Sequence, residues 1–135
     1  MMNRFRQIAN EICEILKDEF PDMVWLNAVS GPAYPKELTG YICCDSIAYE
    51  PFSKGKRQAS AVFTIEIISP NPKGKETDAQ YIEDLAMEVD EVLRENETID
   101  GWAESSNVDK ILFATPAGMT NIGLAIFQFT VTYTE

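Results

Sequence analysis

The chain has 135 residues, 45% hydrophobic and 24% charged, with 22 acidic against 11 basic side chains and a net charge of −11. That length suits a single domain that buries its own core without needing disulfides or metal. The acidity disfavours partners that present phosphates, so direct nucleic-acid binding and anionic membrane surfaces are poor matches.

The sequence has no histidine. The commonest general base and the commonest metal ligand are therefore missing, and no Ser-His or Cys-His pair can form. The glycines are scattered singly, which gives neither a phosphate loop nor a dinucleotide fingerprint. Cys13, Cys43 and Cys44 do not have zinc spacing. Their odd number, with no secretory leader, suggests a reducing compartment. No apolar run reaches the ~18 residues of a membrane span. These patterns predict a protein without catalytic residues, cofactor or metal.

In chain order, Asn3 is placed to cap a helix running to about Phe20, with Phe5, Ile8, Ile12, Ile15, Leu16 and Phe20 on one face. Pro21 stops it. MVWLNAV (23–29) reads as a first strand, broken by Gly31, Pro32 and Pro35. YICCDSIAYE (41–50) and ASAVFTIEIIS (59–69) read as a hairpin joined through PFSKGKRQ. In the second of these strands Ala59, Ala61, Phe63, Ile65 and Ile67 make one face, while Ser60, Thr64 and Glu66 mark the other. Thr77 with Gln80 forms a capping box ahead of a helix to about Asn96, whose buried stripe is Ile82, Leu85, Ala86, Val89, Val92 and Leu93. DGWAESSN (100–107) reads as a loop, KILFAT (110–115) as a fourth strand and residues 122–134 as a long last strand, with Gly123 a candidate bulge. The order α-β-β-β-α-β-β predicts one α+β domain over 1–135: a mostly antiparallel sheet, two helices on one face and a long β-hairpin. No internal repeat is legible.

Two charged features stand out. Asp84, Glu88, Glu91 and Glu95 line one helical stripe at spacings of four, three and four. The stripe can serve as a solvated helix face, as an interface for a basic partner, or as a divalent-cation site. Lys54, Lys56 and Arg57 surround Gly55 at the hairpin tip. That cluster can be a solubilising turn, a contact for an acidic surface of a neighbouring subunit, or a phosphate site, for which one short loop gives few contacts. Of the two tryptophans, Trp25 and Trp102, the second lies in the loop segment and could be exposed.

The amphipathic first helix, the long hairpin, the strand ending FTIEIISPNP, the acidic helix and the closing strand FQFTVTYTE resemble the tail-terminator and tail-completion proteins of long-tailed phages. The resemblance implies a structural, non-enzymatic α+β subunit that assembles as a ring, often hexameric. Such a ring would cap the tail-tube protein and join it to a head-completion protein, first in the host cytoplasm and then at the tail–head junction of the virion. It implies no cofactor and transfers no individual functional residue. The alternative of a different class is an acidic inhibitor or nucleic-acid mimic that occupies a basic groove.

Overall fold

The computed structural model describes residues 3–27, 37–70, 79–115 and 122–135, apart from the Phe52 side chain. Its elements are α1 (Arg4–Glu19), β1 (Val24–Leu26), β2 (Thr39–Ser53), β3 (Lys56–Pro70), α2 (Ala79–Glu95), β4 (Ser105–Ala114) and β5 (Ile122–Thr134). The strands form one sheet in the order β1-β2-β3-β5-β4. Only β1 and β2 run parallel; the other neighbours are antiparallel. The α+β class and the element order expected from the sequence are those of the molecule. Thr77 and the 116–121 turn lie outside the described residues.

Each helix buries the face that its spacing marks out. Ile8, Ala9, Ile12, Cys13 and Leu16 of α1 are buried, as are Ile82, Ala86, Val89 and Leu93 of α2. Both stripes meet the same sheet face, where Phe63, Ile65 and Ile67 of β3 lie beside Phe127, Phe129 and Val131 of β5. α1 sits over β1 and β2, and α2 sits over β4 and β5. Each fully buried large side chain contributes about 1.5–3 kcal/mol, so this single layer of contact dominates the fold. Asn3 occupies the N-cap of α1 in an extended conformation, but its side chain makes no cap bond. Its carbonyl instead accepts from the Arg6 and Gln7 amides at 3.1 and 3.2 Å.

The long strands are accommodated by bulges, but not at Gly123. That residue pairs with Ser69 in a β3–β5 ladder that keeps register from Gln58↔Thr134 to Pro70↔Ile122. The irregularities fall in the flanking strands, between Cys44 and Ser46 and between Pro51 and Ser53 of β2, and between Val108 and Lys110 of β4. Flanking strands can take up an extra residue without breaking the buried centre.

The registers contain a repeat that the sequence does not announce. About the central Phe63↔Phe129 pair, Cys44↔Phe63 corresponds to Val108↔Phe129, and Ile47↔Ala61 corresponds to Ile111↔Phe127. The two bulge residues, Asp45 and Asp109, fall at equivalent places. Each accepts from a threonine of the neighbouring strand, Thr64 and Thr130 respectively. Each also accepts from the residue two before it: Cys43 Sγ at 3.6 Å and Asn107 Nδ2 at 2.9 Å. The chain is thus two α-β-β halves, α1-β2-β3 and α2-β4-β5, with β1 added to the first.

β4 begins at Ser105, earlier than the fourth strand expected from KILFAT, so part of DGWAESSN is strand. The strand follows a tight turn in which Ile99, Asp100 and Gly101 all have positive φ (50°, 54° and 85°). A β-branched residue rarely adopts that conformation. Burial of the Ile99 side chain, 1% exposed, holds it there.

Candidate functional site

The hairpin tip is built from a two-residue turn. Ser53 pairs with Lys56 across Lys54 and Gly55, and Gly55 has φ +77°, a value that favours glycine. The three basic residues there are not equivalent. Arg57 is committed within the molecule: Nη2 donates to Glu135 Oε1 at 3.0 Å, and the guanidinium lies 3.6 Å from the Tyr49 ring centroid. Its backbone exchanges two further 3.0 Å bonds with Glu135. Lys54 and Lys56 are exposed and have no ion pair among the described residues. Tyr49, Pro51, Lys56 and Arg57 border a depression of about 770 Å³ at this corner. Tyr49 itself is 40% exposed.

Beneath the tip, Tyr133 is 1% exposed, and its hydroxyl has no partner in hydrogen-bond geometry among the described residues. Burial, followed by the neighbouring Tyr49, Glu135 and Cys44, pushes its pKa far above the ordinary phenol value.

Asp84, Glu88, Glu91 and Glu95 are all exposed, and none has an ion pair among the described residues. Arg94 instead pairs with Asp90 at 3.1 Å. The like-charge repulsion, about 0.2–0.5 kcal/mol per pair, is small beside the burial of Ile82, Val89 and Leu93, so α2 tolerates the stripe. The structure does not bring the stripe and the hairpin tip together in an ion pair. Among the described residues, no three of Cys, Asp and Glu converge as metal ligands.

A surface that sequence reasoning missed lies at the far end of β4. Leu112 and Phe113 are 48% and 45% exposed. As successive residues of a strand they project to opposite faces, and β4 is the outermost strand on its side of the sheet. Phe113, Ala79, Ile82, Glu83 and Leu124 border a depression of about 350 Å³. KILFAT carries the residues, but nothing in its pattern says that the strand is an edge. That depends on sheet order.

The helix-free face of the sheet is polar at one end and apolar at the other. Besides the two bulge aspartates, Glu104 accepts from Thr134 and, at 3.2 Å, from Gln58 Nε2. At the other end Ile68, Ile122 and Leu124 cluster with Tyr41. Glu66 lies between them, half-buried, and burial raises its carboxyl above the ordinary value. Burial also raises all three thiols, and none of the cysteines is in a disulfide. Trp25 is buried. Trp102 is half-buried, with the Arg4 guanidinium 5.5 Å from its ring and Arg4 Nη1 donating to its carbonyl at 3.3 Å.

No described helix is long and apolar enough to cross a membrane. No protein-family model matches the chain, and no curated protein is significantly similar to it.

Proposed function

We propose that this chain is a structural subunit that terminates the tail tube of a long-tailed phage and joins tail to head as a homo-oligomeric ring. The observation that carries the reading is a pair of open, chemically different corners on one sheet. One is a hairpin tip with two exposed lysines that have no ion pair among the described residues; the other is a strand end with two exposed large apolar residues. Unlike surfaces on one subunit favour head-to-tail contacts, and such contacts close into rings when the rotation allows. The ring number, six at first guess, comes from the family resemblance alone. So do the tail-tube and head-completion partners, and residence at the tail–head junction after assembly in the host cytoplasm. In this reading the protein is not an enzyme and needs no cofactor. The lysines and the acidic stripe of Asp84, Glu88, Glu91 and Glu95 serve as contact residues, and Arg57, held by Glu135 and Tyr49, supports the tip from within.

Light scattering of the purified chain, alone and with a tail-tube protein, tests the proposal. A mass several times 15.2 kDa, or a stable complex with the tube, is the expected result. A strict monomer that binds no tube protein overturns it.

The exposed acidic stripe on α2 supports a second reading, an acidic inhibitor or nucleic-acid mimic. That reading predicts a monomer that binds a basic enzyme, with an affinity that falls as salt screens exposed charges beyond about 8–10 Å.

A further inference from the structure

Resting on the ring reading, we infer that the hairpin tip of one copy seats against the β4 corner of the next, with Phe113 as the anchor and Glu83 facing Lys56. The acidic stripe of α2 then stays outside this contact.

Placement is the first argument. The tip lies at the end of the sheet where β4 begins, since Gln58 pairs with Thr134 and Ser105 with Thr132. It lies on the β2 side. Leu112 and Phe113 lie at the opposite end and on the opposite edge, opposite Ile126 and Ala125 of β5. The two surfaces are diagonal corners, so neither blocks the other and their union repeats from copy to copy.

The edges themselves are selective. The first part of the β4 edge is blunted by the bulge at Asp109 and by Lys110, devices that discourage strand addition. Beyond them the stretch Ile111–Ala114 keeps register without interruption. The β2 edge beyond β1 is interrupted by its own bulge at Cys44/Ser46 and by Pro51, which has no amide to donate. Plain edge-to-edge pairing along either strand is therefore disfavoured, and the contact is left to the corner.

Chemistry selects the occupant. The β4 corner offers an exposed aromatic, Phe113, with an exposed carboxylate, Glu83, bordering the same depression. The tip offers an exposed aromatic, Tyr49, with the exposed Lys54 and Lys56, which have no ion pair among the described residues. Apolar anchors beside a complementary charge are the composition of an interface centre and its rim. A symmetric corner-to-corner dimer would set Glu83 against its own copy, and a symmetric tip-to-tip dimer would set lysine against lysine.

The test uses two variants of the full chain. Lys54→Glu/Lys56→Glu spoils the tip, and Phe113→Asp spoils the corner. Each alone should weaken self-association about thirtyfold or more, the scale of an interface hot spot, with an unchanged melting temperature as the folding control. Mixed together, the two should form a dimer and nothing larger, because only one intact tip–corner contact remains between them. Adding Glu83→Lys to Lys56→Glu should restore assembly. If Phe113→Asp does not fold, the exposed charge pair Lys56 and Glu83 carries the test. A wild-type oligomer indifferent to these changes, or a mixture that rebuilds the full ring, overturns this contact and leaves the ring reading standing. A wild-type chain that stays monomeric and ignores tube protein overturns both.

Discussion

The β2–β3 hairpin and the β4–β5 hairpin share register, bulge position and a threonine–aspartate bond, yet they finish their outer edges differently. In the first half, β1 covers the start of β2, and Trp25 packs its ring onto Gly40. A β-carbon added at Gly40 would lie 2.2 Å from Trp25 Cζ3. In the second half no strand among the described residues covers β4, and its last residues leave Leu112 and Phe113 half in solvent. The shared centre is what folding requires. The unequal edges are where the chain has freedom to meet other molecules, and the surfaces proposed for assembly lie on those edges.

Phe63→Ala and Phe129→Ala give the largest expected effect. The two residues pair at the centre of the repeat and are 0% and 1% exposed. Each truncation should cost about 3–5 kcal/mol, and by closely similar amounts, as measured by urea unfolding. A much smaller loss in one half would break the equivalence of the halves.

Gly40→Ala comes next, and it probes the feature that only the first half has. Trp25 is 4% exposed, so its ring has little room to yield. The clash should cost about 1–3 kcal/mol, the usual range for overpacking. It should also move the Trp25 fluorescence, which a change at the β4 corner should not. If Gly40→Ala melts like wild type, the β1 cover is looser than the described packing.

The smallest effect should come from Glu66→Gln. Glu66 is replaced by Thr132 at the equivalent place in the second half. Burial raises the Glu66 pKa above the ordinary 4.5 in the folded chain. At neutral pH the carboxylate is ionised in both states, and only the folded state bears the desolvation cost. As pH falls through the raised folded value the folded chain takes up the proton, and the cost is gone below the unfolded value. Glu66→Gln should therefore be more stable than wild type at pH 7, with the gap shrinking as pH drops through 4.5. A gap that is constant with pH would mean that Glu66 is fully solvated.

The elements were legible in the sequence where periodicity was strong. Ile82, Ala86, Val89 and Leu93 predict a buried helical stripe, and Ala59 to Ile67 a buried strand face; both are present. The start of β4 was not legible, because SSNVD is polar and its pairing partner lies far along the chain in β5. The register repeat escaped notice because it lives in pairing positions and two bulges, while the residue types have diverged. The same limit applied to the candidate surfaces. Charge clusters at Lys54, Lys56 and Asp84 to Glu95 are visible in one dimension. The capture of Arg57 by Glu135, the last residue of the chain, is not. Nor is the exposure of Phe113, since an apolar strand reads as core until the sheet order makes it an edge.

The unbroken β3–β5 ladder also has a kinetic consequence. Each hairpin closes locally, but the two meet only when β3 finds β5 across the whole of α2 and β4. Pairing of that sequence separation slows folding, because chain entropy is lost before the buried contacts form. Until then Phe63 and Phe129 face solvent on two preformed hairpins with the same register. A β3 strand therefore has two suitors of matching geometry: its own β5 and that of a neighbouring chain. Dilution during refolding should favour the first, and crowding of nascent chains the second.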